Sequence, residues 1–391
     1  MRILEAGWGE QFRWTFTDPE CTRVLNERRQ TMRSLRVAYD NDGLWDWGKP
    51  DDIPSNFARM VDQYVAVGAP FLAWGVGSHL AWNFRPTVME AAWEEPSLPG
   101  MDGWHLAQWD TMKELAARGT DPLSMLLEQT QRSGLPIMAN FRFNRYHPEL
   151  GMADRWFVEH PQFHLSPESC PWMQTATNPR TSQALINLEH AEVREHLVRG
   201  LVDVAEHYPV DGLQLELMRA IPFFELDEPA KVEHMNAFLR LLRAELDRIG
   251  QDRDKRVKLA LWLPTEGHHR YLRGTWPEPF LDEANWGLDP ATWIEEELVD
   301  ILIPSLYSQD LAMTGLVPLP WWVARARERS TEVYGCVMNI STKVKDGVTS
   351  CAKTAEILRS VSDQCDGVFL FNSQPLHLAA VLDVAQRTQS A

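Results

Sequence analysis

Residues 211–219 read DGLQLELMR. They read as a buried strand with one carboxylate, Glu216, set among Leu215, Leu217 and Met218 near its end. Arg219 follows three residues later. A charge set among core hydrocarbon needs either a partner or a task, so this strand end is the first candidate for a functional site.

Seven similar apolar runs flank it: LRVAYD (35–40), APFLAWG (69–75), LPIMANF (135–141), VKLALWL (257–263), VDILIPSLY (299–307), EVYGCVMN (332–339) and CDGVFLFN (365–372). Helical periodicity lies between them. It predicts helices in SNFARMVDQYVAVG from Ser55, in the segment from Asp121 to Gly134, and in HAEVREHLVRGLVDVAEHY, with Val193, Leu197, Leu201 and Val204 on one face. Others are predicted from Lys231 to Ile249, closed by Gly250, and in DPATWIEEEL, where Asp289 precedes Pro290 in the order favoured at a helix start. The segments WWVARARERS, AKTAEILRSVSD and LHLAAVLDVAQR complete the set. Strand then helix, repeated eight times, is the α/β pattern of a (β/α)8 TIM barrel. Several runs are too continuously apolar for half-exposed antiparallel strands. The stretches at about 80–120 and 145–188 exceed ordinary connections, which makes them insertions on the C-terminal face of one barrel domain over residues 1–391. A doubly wound sheet fits less well, because DNDGLWDWG after the first run lacks a glycine-rich phosphate turn.

With 44% hydrophobic and 24% charged residues, the 391-residue chain can bury a large core. A net charge of −17 argues against nucleic acid as a partner. No run approaches the length of a membrane span, and MRILEAGWGEQFRW lacks the features of an export signal. The expectation is a cytoplasmic protein with no membrane partner, or a secreted one if a leader has been removed. Five scattered cysteines without CxxC spacing read as free thiols. Seventeen tryptophans are many for this length. Those at Trp45, Trp47, Trp74, Trp82, Trp93, Trp104, Trp109, Trp262, Trp276, Trp286 and Trp293 cluster, several in apparent loops, where flat rings would form a platform for sugar faces.

A TIM barrel builds its site at the C-terminal strand ends. The polar residues there are Asp40, Asn41 and Asp42 after the first run, and His79 after the second. The third ends in Asn140, Arg142, Asn144, Arg145 and His147; Glu216 and Arg219 end the fourth, and Glu266 follows the fifth. Tyr307, Asn339 and Asn372 close the last three. Glu216 and Glu266 are the candidate acid pair, because glycoside hydrolysis uses one carboxylic acid to protonate the leaving oxygen and a second carboxylate as nucleophile or base. Arg219 or Arg142 would hold Glu216 ionised, leaving Glu266 as the acid. Blander readings stand beside these. Glu216 would then be locked in a structural ion pair with Arg219, Glu266 would be a solvated loop acid, and Asp40 and Asp42 would only shape a turn. No HxH, HExxH or GxSxG pattern is present, so no metal or other cofactor is expected.

At these residues the chain resembles bacterial glycoside-hydrolase-like barrel proteins, similar to the family 10 glycosidase-like barrels and more distantly to the α-amylase superfamily. The stretches that carry the likeness are RVAYDNDG, RFNRYH, VDGLQLELMR, NWGLDPATWIEEELVDILIPSLY and DGVFLFN, in order along the chain. The resemblance implies a catalytic carboxylate at the end of the fourth strand, here Glu216, and an acid at or after the fifth, here Glu266. Relatives commonly carry aspartate at the fourth-strand position, one methylene shorter than Glu216.

The expected function is a glycoside hydrolase acting on an oligo- or polysaccharide. Glu216 and Glu266 would be catalytic, and Asp40, Asp42, His79, Asn140, Arg142, Asn144, Arg145, His147, Arg219, Trp262, Tyr307, Asn339 and Asn372 would contact substrate. Arg142 and Arg145 close together also suit an acidic or sulfated sugar. The alternatives are a non-catalytic carbohydrate-binding barrel, and a lyase or isomerase acting on a uronic acid with His147 or Tyr307 as base.

Overall fold

All eight apolar runs form strands in the computed structural model. It describes residues 19–41, 48–78, 81–82, 84–89, 91, 103–143, 155–166, 168–169, 185–218, 222–265, 286–305, 319–338, 348–371 and 375–389. The strands are β1 (Val37–Asn41), β2 (Leu72–Ser78), β4 (Ile137–Arg142), β5 (Gly212–Glu216), β6 (Lys258–Pro264), β7 (Ile301–Ser305), β8 (Glu332–Met338) and β9 (Gly367–Phe371). A two-residue β3 (Ala81–Trp82) pairs antiparallel with the end of β2. The sheet runs β1-β9-β8-β7-β6-β5-β4-β2-β3, and β1 also pairs in parallel with β2. Eight parallel strands therefore close into a barrel, and the (β/α)8 fold expected from the sequence is the fold observed.

Closure sorts each strand into two faces. In β5 the leucines 213 and 215 pack outward with the helices, while Gly212, Gln214 and Glu216, the alternate positions, point inward. The apolar run of the sequence is thus the helix-facing half of the strand, and Glu216 is not an interruption of it. The barrel interior has its own core of Phe71, Ala73, Met138, Ala260, Ile301, Ile303, Tyr334 and Phe369, with Trp262, Cys336 and Phe371 nearer the strand ends.

The helices are α1 (Pro19–Ser34), α2 (Ile53–Ala66), α3 (Gly103–Ala117), α4 (Pro122–Ser133), α5 (Arg155–Glu159), α6 (Ala191–His207), α7 (Lys231–Asp252), α8 (Pro290–Glu295), α9 (Leu319–Ala326), α10 (Val348–Ser362) and α11 (Pro375–Gln389). Local chemistry sets several boundaries. Asp121 caps α4 by accepting from the Ser124 backbone N–H at 2.8 Å, and Gly134 ends the helix at φ 73°, a conformation open to glycine. Asp289 caps α8 in the same way, accepting from Thr292 N–H at 3.2 Å. Several boundaries differ from the sequence reading; α9 spans Leu319–Ala326 where 321–330 was expected, and α10 begins at Val348, four residues before Ala352. Helix α2 begins at Ile53 with Pro54 in its first turn, and α7 runs past Gly250 to Asp252. Gly250 is there for close approach: a Cβ on it would meet the Lys255 carbonyl oxygen at 2.9 Å.

Helices α1 and α3 add to the repeat. Helix α1 precedes the first strand and packs on α11, and α3 lies in the stretch between β3 and β4. Among the described residues no helix is long and apolar enough to cross a membrane.

Gly212 shows how little space the inner wall has. A Cβ there would sit 2.4 Å from the Lys258 carbonyl oxygen of β6 and 2.7 Å from Met138 Cε. The first obstacle is backbone, which cannot rotate away. Gly212→Ala should therefore lower unfolding free energy by about 3 kcal/mol or more, at the upper end for overpacking, as read from the urea midpoint.

Candidate active site

Because the strands of a barrel are tilted, residues at one height come from alternate strands. Following the register from Asp40, one inner layer comprises Asp40 (β1), Asn140 (β4), Trp262 (β6) and Cys336 (β8). Glu216, Ser305 and Phe371 stand one layer nearer the strand ends, together with Gly75. These two layers are where the predicted polar residues meet.

Asn140 donates to Asp40 Oδ1 at 2.8 Å, and Arg142 reaches Asp40 Oδ2 at 3.2 Å. On its other side Arg142 Nε lies 2.6 Å from Glu216 Oε2. All four side chains are buried; Asp40, Arg142 and Glu216 are each 2% exposed or less. Strand β2 lies between β1 and β4, so the contact of Asp40 with Asn140 and Arg142 must pass across it. Ala73 is the register partner of Asp40 and Gly75 that of Asn140, which leaves the path clear. Arg142 and Glu216 are themselves Cα partners across β4 and β5, and the guanidinium also stands 5.8 Å from the centre of the Phe371 ring.

The magnitudes say why this cluster matters. Each ion buried in a barrel gives up several kcal/mol of hydration, and well-packed apolar replacements for a buried ion triad are commonly neutral or stabilising. Stability alone is then a poor reason to keep three charges here.

Cys336 lies level with Asp40 and one layer below Glu216. Burial pushes its thiol up to about 12, the charges of Asp40 and Glu216 push the same way, and Ser305 and Trp262 beside it pull back. The thiol is protonated at neutral pH and is not a nucleophile.

Trp262 was expected at the substrate, but it is fully buried, with its ring 5.3 Å from Phe369 and 5.0 Å from Phe371. It forms the floor of the site. Trp74, Trp109, Trp286 and Trp293, members of the tryptophan clusters, are also buried, among the helices outside the barrel. The ion partner of Glu216 in the structure is Arg142, on the neighbouring strand. That contact also occupies one of the two arginines that suggested an acidic sugar. Asp42, His79, Asn144, Arg145, His147, Arg219, Glu266, Tyr307, Asn339 and Asn372 lie outside the described residues, as do Trp45, Trp47, Trp93 and Trp276. Gln214, Ser305 and Cys336 were not among the predicted site residues; the inward parity of Gln214 with Glu216 was the signal that would have found it. Among the described residues no three His, Cys, Asp or Glu side chains are grouped to hold a metal.

Comparison with known proteins bears on the fold. Residues 103–224 match the family model Glycosyl hydrolase-like 10, a span that includes β4 with Asn140 and Arg142 and β5 with Glu216. No curated protein matches the chain. Solved structures similar to it include a maltogenic α-amylase from Thermotoga neapolitana, 12% identical with a TM-score of 0.47 over 88% of this chain and 68% of that one. The PgaB (BpsB) glycoside hydrolase domain of Bordetella bronchiseptica is 12% identical, with a TM-score of 0.47, over 90% of this chain and 97% of that one. A chitinase from Chromobacterium violaceum is 12% identical, with a TM-score of 0.40, over 90% and 99%.

Two outcomes test the buried cluster. Arg142→Met removes the cation shared by two buried acids and should cost about 3–5 kcal/mol in urea unfolding, whereas the triple variant Asp40→Leu/Arg142→Met/Glu216→Leu should recover most of that loss. For Cys336 the thiol is raised in the folded state from an ordinary value of 9.0, so its contribution to stability is complete below about pH 9 and is lost as pH climbs towards 12. Iodoacetamide at pH 8.5 should leave Cys336 unmodified in the folded protein and alkylate it in urea; alkylation of the folded protein would contradict the burial.

The chain closes a parallel (β/α)8 barrel, and its residues 103–224 match the Glycosyl hydrolase-like 10 model, the kind of family that the likeness at RFNRYH and VDGLQLELMR implied.

Proposed function

We propose that the protein cleaves a glycosidic bond of an oligo- or polysaccharide bound over the strand ends, with Glu216 as the anionic carboxylate of the reaction. The observation that carries this reading is the charge of the buried cluster. Asp40 and Glu216 share the Arg142 guanidinium, so in this contact two carboxylates answer one cation. Glycoside cleavage passes through an oxocarbenium-like state that gains positive charge. A fixed negative charge in a site of low dielectric stabilises that state without having to reorganise.

The arginine contact suits Glu216 to act as nucleophile or as base on water, and the leaving oxygen then needs its proton from a second acid. Our candidate is Glu266. It follows β6, and the register partner of Glu216 on that strand is Trp262, four residues before Glu266. Asn140 and Asp40 would hold Arg142 in place from below, and Asp42, His79, Asn144, Arg145, His147, Arg219, Tyr307, Asn339 and Asn372 remain our candidates for sugar contacts.

A second reading is a carbohydrate-binding barrel without turnover. It is favoured by the burial of Asp40 and Glu216, since covered acids locked on an arginine can shape a site without touching a bond.

Glu216→Gln separates the two. The change leaves Asp40 and Arg142 as a balanced pair, so the fold should survive. For the hydrolase, kcat on a cleavable oligosaccharide should fall roughly 10²–10⁴-fold while its dissociation constant moves by only a few-fold. Unchanged kcat in the variant would remove Glu216 from the reaction; saturable binding by the wild type with no turnover would favour the binding barrel.

A further inference from the structure

On the outer wall of the barrel, an open groove of about 710 Å³ lies between the segment 155–163 and helices α6 and α7. One of its walls is aromatic. Trp156 is 4.7 Å from His160 at 27° and 5.4 Å from Phe163 at 16°, and the last two rings are 5.7 Å apart at 12°. Rings on opposite faces of an indole would stand about 7 Å apart, twice the carbon contact distance. His160 and Phe163 therefore share one face of Trp156 and lie side by side as a nearly flat tile. His196 stacks on the indole from α6, 4.0 Å away and 12° from parallel.

The facing wall is aliphatic and acidic. Leu241, one of three large hydrophobics left exposed among the described residues, lines it with Val202. Glu192 and Glu195 stand exposed on α6, and Glu245 on α7 is held by Arg248 at 2.9 Å. Arg199 is the single cation lining the groove, against three carboxylates.

We propose that this groove is a second carbohydrate-binding site whose ligand is a pyranose chain bearing free amino groups. The flat two-ring tile fits the C–H face of a pyranose, which needs a plane and not a pocket. The carboxylates accept from ammonium and hydroxyl groups, and they repel uronic or sulfated sugars. A basic peptide would stack one guanidinium on one ring, whereas a pyranose face covers both at once, so the two-ring width of the tile favours the sugar. The inference takes its ligand class from the carbohydrate reading of the barrel, but none of these residues belongs to the strand-end cluster.

The test is calorimetric titration of the full chain with glucosamine hexamer, cellohexaose and hexagalacturonate, for the wild type, Phe163→Ala and Glu195→Gln. Glucosamine hexamer should bind the wild type most tightly and hexagalacturonate not measurably. Phe163→Ala should weaken the glucosamine hexamer at least tenfold, and Glu195→Gln several-fold. Glu195 is exposed, so an unchanged thermal midpoint in Glu195→Gln shows that any loss is not unfolding. The proposal is overturned if the wild type does not bind glucosamine hexamer saturably, if both variants bind it as the wild type does, or if hexagalacturonate binds equally well. The hydrolase reading fails separately, on turnover in Glu216→Gln.

Discussion

A guanidinium held between two carboxylates inside a closed barrel constrains everything around it. Arg142 cannot leave Asp40 without stranding a charge in a medium that solvates it poorly, and it cannot leave Glu216 for the same reason. The neighbours are chosen accordingly. Ala73 and Gly75 on β2 are small enough for β1 to reach β4 across the strand between them, Asn140 gives Asp40 a second donor, and Phe371 offers its ring to the guanidinium. Trp262 and Cys336 stand level with Asp40, and Phe369 and Ile303 lie below them. A larger side chain on the inner face of β2 would separate the two acids from their common cation before it disturbed any strand.

Much of this was legible in the sequence, and the physical reason is that the informative features were local. Eight apolar runs with helices between them predict a barrel because no other common arrangement buries so many parallel strands. Asp121 before Pro122, with Gly134 beyond, fixed both ends of a helix from a dozen residues. The strand-end rule then placed Asp40, Asn140, Arg142 and Glu216 on one rim, and the structure joins all four.

The parts that could not be read were pairings and faces. The sequence offered Arg219 and Arg142 alike as the cation for Glu216; the parallel register makes Arg142 its Cα partner and brings the two into contact, while Arg219 lies outside the described residues. Tryptophans posed the same difficulty in another form. Their number is a property of the chain, whereas the face each ring presents depends on strand parity and helix packing; Trp262 turns inward and Trp74 outward, to an edge contact with Phe57. The flat rings that do reach a groove are Trp156 and Phe163 with His160, in a stretch the sequence marked only as an insertion.

Charge connects the two regions. The strand-end cluster sets two carboxylates against one cation and the groove wall has more carboxylates than cations, in a chain whose net charge is −17. Arg142 and Arg145, close together in the sequence, suggested an acidic sugar, but Arg142 already faces two carboxylates. On the proposed reading, a ligand drawn to the barrel meets carboxylates along the groove and beside Arg142 at the strand ends alike. An anionic chain would be repelled at both, a neutral one tolerated, and one with scattered ammonium groups attracted over the whole path. The same excess charge that favours a cationic ligand on approach would favour the positive charge that develops at the sugar ring during cleavage, so one electrostatic arrangement serves both binding and chemistry.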